Sequence, residues 1–245
     1  MNQHVGWESS AQAWIDSNGD EGDRSRRYVL DPAVLRRLKT RAFKTALDVG
    51  CGEGRFCRVM QSLGIKTVGI DPTKALLGVA RERDPDGDYR CESAENLSFS
   101  DASFELVISY LSLIDIPDFR AAIAEMARVL KPGGLLLVIN LTDFQTAGMS
   151  KGWRLSWRGA LKEFAIDNYS IEKPVLVEWS GIKVENWHRP LDAYMQTYLG
   201  AGLRLNHYEH PMPSDEDAQL SAKYRRVPWF NLMEWAKPET AGDML

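Results

Sequence analysis

Three glycines at alternate positions, Gly50, Gly52 and Gly54, follow directly on the apolar run "ALDV", and an acid, Asp48, stands two residues ahead of the first. A strand that ends in glycines and feeds a helix turns backbone N–H groups and the positive end of the helix dipole toward a ligand. Glycine also lets the ligand come close, because no Cβ stands in the way. The spacing is G-x-G-x-G, with the third glycine one position earlier than in the G-x-G-x-x-G turn that cradles a dinucleotide pyrophosphate. Preceded by an acid, such a turn suits a ligand with an amino acid at one end, whose ammonium a carboxylate meets, and a nucleoside at the other. Asp71 ends the next apolar run, at roughly the 20-residue distance where an acid grips ribose hydroxyls.

Residues able to move a proton are scattered further on. His188 lies in "NWHRPLD", Asp143 follows the run "LLLVIN", and Asp115 sits in "LIDIPD". Each also has a plainer role: His188 packs a junction, Asp143 caps a turn, Asp115 caps the next helix. His207 and His210 read as structural or surface residues. Four of the eight tryptophans, Trp153, Trp157, Trp179 and Trp187, crowd a stretch without a steady period. They form either a π-rich wall for a flat or cationic acceptor or the small core of an inserted segment. The cysteines Cys51, Cys57 and Cys91 lack the paired spacing of a zinc site, and no histidine cluster joins them, so no metal is expected.

Positioning these groups takes a strand-helix alternation from Thr45 to about Asn140. "TALDVG", "KTVGID", "GDYRCES", "SFELVISY" and "LLLVIN" read as five strands, with helices over "RFCRVMQSLG" and "PTKALLGVARER". Ile116, Phe119, Ile123, Met126 and Leu130 recur three and four residues apart, which predicts a helix ended by "KPGG". Such alternation implies a parallel sheet covered on both faces. Ahead of it, "ESSAQAWIDS" and "DPAVLRRLKT" read as helices, the second with Asp31 as its N-cap. Behind it, "PLDAYMQTYLGAG" reads as a helix, and "LRLNHYEHP" and "RVPWFNLMEWAKP" as closing strands.

The bulk numbers fit one sizeable domain: 245 residues, 44% hydrophobic. A formal net charge of -4 speaks against a broad basic face for nucleic acid. "LLLVI" is among the longest apolar runs, far short of a membrane span, and the polar start "MNQHVGWESS" has no signal-like core. An odd, sparse set of cysteines predicts reduced thiols and a cytoplasmic location.

The chain resembles the class I S-adenosylmethionine-dependent methyltransferases, and more narrowly small-molecule methyltransferases related to ubiquinone-biosynthesis C-methyltransferases. "LDVGCGEGRF" resembles their first motif and "VGIDPT" their second-strand acid. "SAENLSFSDASFELVIS" and "EMARVLKPGGLLLVI" resemble their adenine-binding segment and the following helix and strand. The resemblance implies a Rossmann-like α/β fold with a seven-stranded, mostly parallel sheet of order 3-2-1-4-5-7-6, the last strand antiparallel. It implies S-adenosylmethionine as cofactor, S-adenosylhomocysteine as product, and in-line transfer of methyl to O, N or C of a small molecule. The alternatives are a methyltransferase of a macromolecule and a cofactor-binding pseudoenzyme.

Carried over by residue, the resemblance places Asp48, Gly50, Cys51, Gly52 and Gly54 at the methionine part. Asp71 would hold the ribose, and Pro72, Ser93, Ala94 and Glu95 the adenine. An aspartate is usual where Ser93 stands, so Glu92 is a possible substitute. Ser109 and Tyr110 would face the sulfonium and the acceptor, and Arg27 or Tyr28 would close over the carboxylate end. His188, Asp143 and Tyr110 are the catalytic candidates; Asp115, Trp153, Trp157, Trp187 and His188 would line the acceptor pocket. The expected division of this single domain is covering helices in 1–43, a cofactor core in 44–140, an aromatic cap in 141–190, and a closing helix and strands in 191–245. A monomer or homodimer, with no nucleic-acid partner, is expected.

Overall fold

Alternate residues of the central strands are apolar in both directions, and that alone demands a sheet buried on two faces. In the computed structural model, which describes residues 5–148, 152–213 and 218–239, this is what forms. The chain runs through α1 (Trp7–Asn18), a π-helical turn (Arg26–Leu30) and α2 (Asp31–Leu38). It continues through β1 (Thr45–Val49), α3 (Arg55–Ser62), β2 (Lys66–Ile70), α4 (Lys74–Arg83) and β3 (Asp88–Arg90). Next come β4 (Phe104–Tyr110), α5 (Phe119–Val129), β5 (Leu130–Leu141) and α6 (Asp143–Gly148). Two hairpins follow, β6 (Trp153–Leu155) with β7 (Leu161–Phe164) and β8 (Lys173–Trp179) with β9 (Ile182–His188). The chain closes with α7 (Leu191–Gly200), β10 (Arg204–Glu209), α8 (Ala218–Arg226) and β11 (Phe230–Ala236).

The main sheet has the order β3-β2-β1-β4-β5-β11-β10. Strands β1 to β5 are parallel, and β11 runs antiparallel to both β5 and β10. With β10 and β11 as sixth and seventh, this is the 3-2-1-4-5-7-6 sheet expected. Ala46, Leu106, Ile108, Leu135, Leu137 and Ile139 feed one core with α2 and α3. Their neighbours Leu47, Val107, Leu136 and Val138 feed the other, with α5, α7 and the Tyr198–Trp235 stack at 4.6 Å.

Two local expectations are corrected. Asp31 does not cap α2, because the preceding π-turn already runs into the helix and Leu30 is itself helical. Its carboxylate is taken by the Arg55 guanidinium at 2.8 and 3.0 Å and by the Tyr110 hydroxyl at 2.7 Å. α5 starts later than its periodicity suggests, at Phe119, because Asp118 accepts the Ala121 N–H at 3.0 Å and caps it there. The stretch 141–190, without a helical period, carries α6 and both hairpins. Among the described residues no helix is long and apolar enough to cross a membrane.

Candidate cofactor and acceptor cavity

At the carboxyl ends of β1, β2 and β4, on either side of the point where strand order reverses, lies a cavity of about 330 Å³. The turn after β1 forms its floor. Gly52 opens toward it: a Cβ there would meet nothing nearer than Leu76 and the Trp14 indole, both at 4.0 Å. Gly50 and Gly54 are glycines for another reason. A Cβ at Gly50 would lie 2.3 Å from the Ser112 Cβ, and one at Gly54 2.7 Å from the Tyr89 ring. Gly50 still lines the cavity through its backbone, whereas Gly54 lies outside it, behind Tyr89.

Two acids flank the turn. Asp71 accepts the Gly52 N–H at 3.0 Å with one oxygen and the Thr73 N–H at 2.8 Å with the other, so it ties β2 to the glycine turn. Burial raises its carboxyl above the usual range. Asp48 is deeper. One oxygen accepts the Cys57 thiol at 3.4 Å, and Oδ1 has no partner at all. Burial pushes this carboxyl up to about 7. A buried carboxylate oxygen without a donor, on a residue that lines the cavity, suits a cationic partner such as an ammonium group.

The far end of the cavity is lined by Pro72, Leu76, Ser93, Ala94 and Glu95. The Ser93 hydroxyl donates to the Glu95 carboxylate. Glu92 also lines the cavity, yet its carboxylate is already bound by the Ser98 N–H at 3.0 Å and hydroxyl at 2.6 Å, which leaves Glu95 the better substitute acceptor. The N-terminal cover comes from α1, whose Trp7 and Trp14 both line the cavity; the Trp14 N–H donates to Glu53 at 3.0 Å. Arg26 lines it too, its guanidinium 4.7 Å over Trp14 and paired with Asp23. Arg27 and Tyr28 do not reach it. The π-turn sends them outward, Arg27 to Glu21 at 2.9 Å and Tyr28 into solvent. Arg26 lines the cavity in place of the expected Arg27 and Tyr28, since the extra residue per turn in a π-helix rotates the face.

After β4 the chain turns through Leu111, a non-glycine residue with φ of +58°, a backbone strain of the kind found at ligand sites. Tyr110, Leu111, Ser112, Asp115, Ile116 and Pro117 line the cavity here. Ser109 is wholly buried instead, 2.9 Å from the Ser112 hydroxyl. Asp115 accepts from Asn186 of β9, and the Trp7 indole of α1 favours its charged form. Burial pushes its carboxyl up to about 8. Behind the loop the buried Arg189 donates to the carbonyls of Leu113 (3.1 Å), Ile116 and Pro117 (3.0 Å) and packs on Phe119 and Trp187. It holds the loop that carries Asp115, a role that no local sequence signal announces.

The other catalytic and acceptor candidates lie elsewhere. His188 is fully buried, with Nδ1 2.7 Å from the Thr146 hydroxyl and Nε2 2.7 Å from the Tyr169 carbonyl. The carbonyl only accepts, so Nε2 carries the proton and both ring nitrogens are occupied. Asp143, also buried, accepts the Tyr169 hydroxyl. Trp153 packs edge-on to Phe164 at 5.3 Å and under Arg226, Trp157 is 87% exposed, and Trp187 packs on Arg189. Trp179 packs on Trp7 at 6.5 Å. None of these lines the cavity, whose aromatic cover is Trp7 and Trp14 of α1.

Burial lowers the His188 pKa below its ordinary 6.5. The unfolded chain therefore binds a proton that the folded chain refuses, and stability from this residue is lost as pH falls below about 6.5. Thermal melts of wild type and His188→Gln between pH 5 and 8 are expected to differ most above pH 6.5 and to converge on acidification; a constant difference would exclude the buried neutral imidazole.

The fold and the cavity define a Rossmann-like methyltransferase architecture with room for an amino acid and a nucleoside joined end to end. Comparison with known proteins agrees. The methyltransferase domain family matches residues 47–138. The chain is 35% identical over 139 residues to a ubiquinone biosynthesis O-methyltransferase of Xanthomonas oryzae pv. oryzae, covering 54% of this chain and 57% of that one. It is 30% identical over 122 residues to a malonyl-[acyl-carrier protein] O-methyltransferase of Enterobacter lignolyticus, covering 50% and 49%. A crystal structure of an S-adenosylmethionine-dependent methyltransferase from Mesorhizobium loti superposes with a TM-score of 0.76 at 25% identity, over 89% of this chain and 100% of that one. Residues 47–138 match the methyltransferase domain, and the chain as a whole shares the fold of the S-adenosylmethionine-dependent methyltransferases it superposes on. It spans about half the length of the curated relatives it matches.

Proposed function

We propose that the protein transfers the methyl group of S-adenosylmethionine to an oxygen of a small-molecule acceptor. The observation that carries this reading is the unpartnered Asp48 Oδ1 in a cavity whose opposite flank is the backbone-anchored Asp71. Two relatives named as O-methyltransferases support oxygen as the accepting atom. When bound, S-adenosylmethionine supplies an electrophilic sulfonium methyl.

The protein's part is placement and exclusion of water. Asp48 takes the ammonium end and Arg26 the carboxylate end. Gly52 lets the ligand lie against the backbone. Asp71 receives the ribose hydroxyls, while Pro72, Ala94 and Glu95 hold the adenine edge. Trp7 and Trp14 close the cavity from α1, leaving the loop Leu111–Pro117 to face the acceptor.

Because Asp48 titrates near 7, its charge is present above that pH and lost below it. Binding of a ligand ammonium is thus expected to strengthen about tenfold between pH 5.5 and 7, and to lose this dependence in Asp48→Asn. Titration calorimetry at several pH values checks it, and a flat wild-type profile would remove Asp48 from the ammonium. For the activity itself, protein is incubated with methyl-labelled S-adenosylmethionine and a host-cell extract, then separated into small-molecule, protein and nucleic-acid fractions. Label in small molecules is the expected result; label in a macromolecular fraction overturns the proposal.

A further inference from the structure

The cavity is lined by six carboxylates, Asp48, Glu53, Asp71, Glu92, Glu95 and Asp115, against two guanidiniums, Arg26 and Arg55. Arg26 is paired with Asp23 at 2.5 Å and, on the reading above, also takes the cofactor carboxylate, and Arg55 is paired with Asp31 at 2.8 Å. A second anion, such as an acceptor carboxylate, would enter with no cation to receive it, at a cost that burial magnifies. The acceptor end offers apolar walls, Leu111, Ile116, Pro117 and the Trp7 ring, and two ionisable groups, the Tyr110 hydroxyl, which already donates to Asp31 at 2.7 Å, and the Asp115 carboxyl. His188 and Asp143, the other candidates, have their polar atoms engaged outside this cavity.

We propose that the acceptor is a neutral hydroxyl compound, a phenol or an alcohol, and that Asp115 is the base that takes its proton during methyl transfer. The inference rests on the methyl-transfer reading above and assigns its acceptor class and its base. The balance is simple. The acceptor O–H bond breaks and its proton goes to Asp115; the oxygen pair forms the O–CH3 bond while the S–CH3 pair stays on sulfur. Asp115 then returns the proton to solvent.

The position of Asp115 is fixed from three sides. Asn186 of the β8–β9 hairpin donates to it, the Trp7 indole of α1 lines the same cavity and favours its charged form, and Arg189 pins the carbonyls on either side of it. α1 and the hairpin are themselves joined, through Gly6 N–H to the Lys183 carbonyl at 2.9 Å and Lys183 N–H to the Ser10 hydroxyl at 3.0 Å. The cover over the cavity therefore closes onto the same carboxyl that meets the acceptor. Among the charged groups around it, Asp71 disfavours its ionisation and Arg189 favours it. On the covering elements, Glu8 accepts the Ala75 N–H at 3.5 Å and Lys183 faces Glu178 at 4.0 Å. With its carboxyl pushed up to about 8, Asp115 is a base whose proton affinity is well above that of an exposed aspartate, which helps it compete for a hydroxyl proton.

The test uses the full-length protein, tritiated S-adenosylmethionine and the small-molecule fraction of a host-cell extract. Products are treated with alkali, which releases a methyl ester as volatile methanol, leaves a methyl ether intact, and lets methylated amines be extracted as bases. Wild type is expected to yield alkali-stable, non-basic label, at a rate that rises with pH up to about 8. Asp115→Asn is expected to bind S-adenosylhomocysteine within about threefold of wild type and to lose transfer at least a hundredfold. A readout without turnover accompanies it. A raised carboxyl makes the folded state hold a proton that the unfolded chain releases, so its contribution to stability is present below about 4 and lost as pH rises toward 8. Asp115→Asn should therefore gain stability relative to wild type as pH rises through that window.

Alkali-labile or basic label from wild type overturns the acceptor class. Equal transfer by Asp115→Asn overturns the base while leaving the methyl-transfer reading standing. No label from wild type, with S-adenosylhomocysteine bound, overturns both.

Discussion

Asp71→Ala is expected to weaken S-adenosylhomocysteine binding at least tenfold and to lower the unfolding midpoint at the same time. The two effects have one origin. On the proposed reading Asp71 presents acceptors to the ribose, and in the structure it receives the N–H groups of Gly52 and Thr73. Truncation leaves both donors short of a partner and unties β2 from the glycine turn, so the ligand loses its contact and the surface it lies on. Each charge-assisted bond of this kind is worth about 1.5–3 kcal/mol, and loss of about 2 kcal/mol of stability is expected. Asp71→Asn separates the parts: its amide oxygen still accepts one N–H, while its NH2 opposes the other. It should fall between wild type and alanine in both measurements. Calorimetric titration and scanning calorimetry on the three proteins check this. Unchanged affinity in the alanine variant would remove Asp71 from the ribose, and an unchanged midpoint would remove it from the turn.

The second large effect distinguishes two glycines that look alike in the motif. Gly50→Ala puts a Cβ 2.3 Å from the Ser112 Cβ, on a backbone with φ of +77°, and Ser112 cannot retreat freely because its hydroxyl is bound to the Val49 carbonyl at 2.5 Å. A loss of about 2–4 kcal/mol is expected from overpacking and the left-handed backbone together. Gly52→Ala meets only contacts at 4.0 Å, so it should cost about 1 kcal/mol of stability for its φ of +57° while blocking the ligand's approach. Gly50→Ala combined with Ser112→Gly removes the clash and should recover part of the lost stability, with the backbone cost remaining. Denaturant titration of the three variants and ligand binding to Gly52→Ala decide the matter. Equal destabilisation by the two single alanine variants would show that the motif acts through backbone conformation alone.

The sheet was legible because its cause is local. Consecutive apolar residues in β1 (Ala46, Leu47), β4 (Leu106–Ile108) and β5 (Leu135–Ile139) can be satisfied only by cover on both faces, and the helical periods between them supply it. The last two strands, β10 and β11, were legible as strands, and their antiparallel placement followed from the family resemblance. The cofactor turn was legible for the same reason: Asp48, the glycines and Asp71 lie at fixed distances along a β-α-β unit, so spacing in the chain is spacing in space. Gly54 shows the limit even there. It belongs to the motif and packs under Tyr89, outside the cavity, because the glycine spacing serves close packing as well as a ligand.

The acceptor side was not legible, and the reasons are physical. Trp153, Trp157, Trp179 and Trp187 were conspicuous by composition, yet composition does not say which face a hairpin presents, and the wall came from Trp7 and Trp14 more than a hundred residues earlier. Arg26 was displaced from expectation by one residue, because a π-turn leaves no mark in apolar spacing. His188 offered the right chemistry in a place where Thr146 and Tyr169 use up both nitrogens. The sheet, the glycine turn and the positions of Asp48 and Asp71 beside it could be read from the chain alone, since these depend on contacts a few residues to a β-α unit apart. The meeting of Asp115 with Trp7, Asn186 and the loop held by Arg189 could not be read that way, since it joins residues about 70 to 110 positions apart, brought together by packing rather than by spacing.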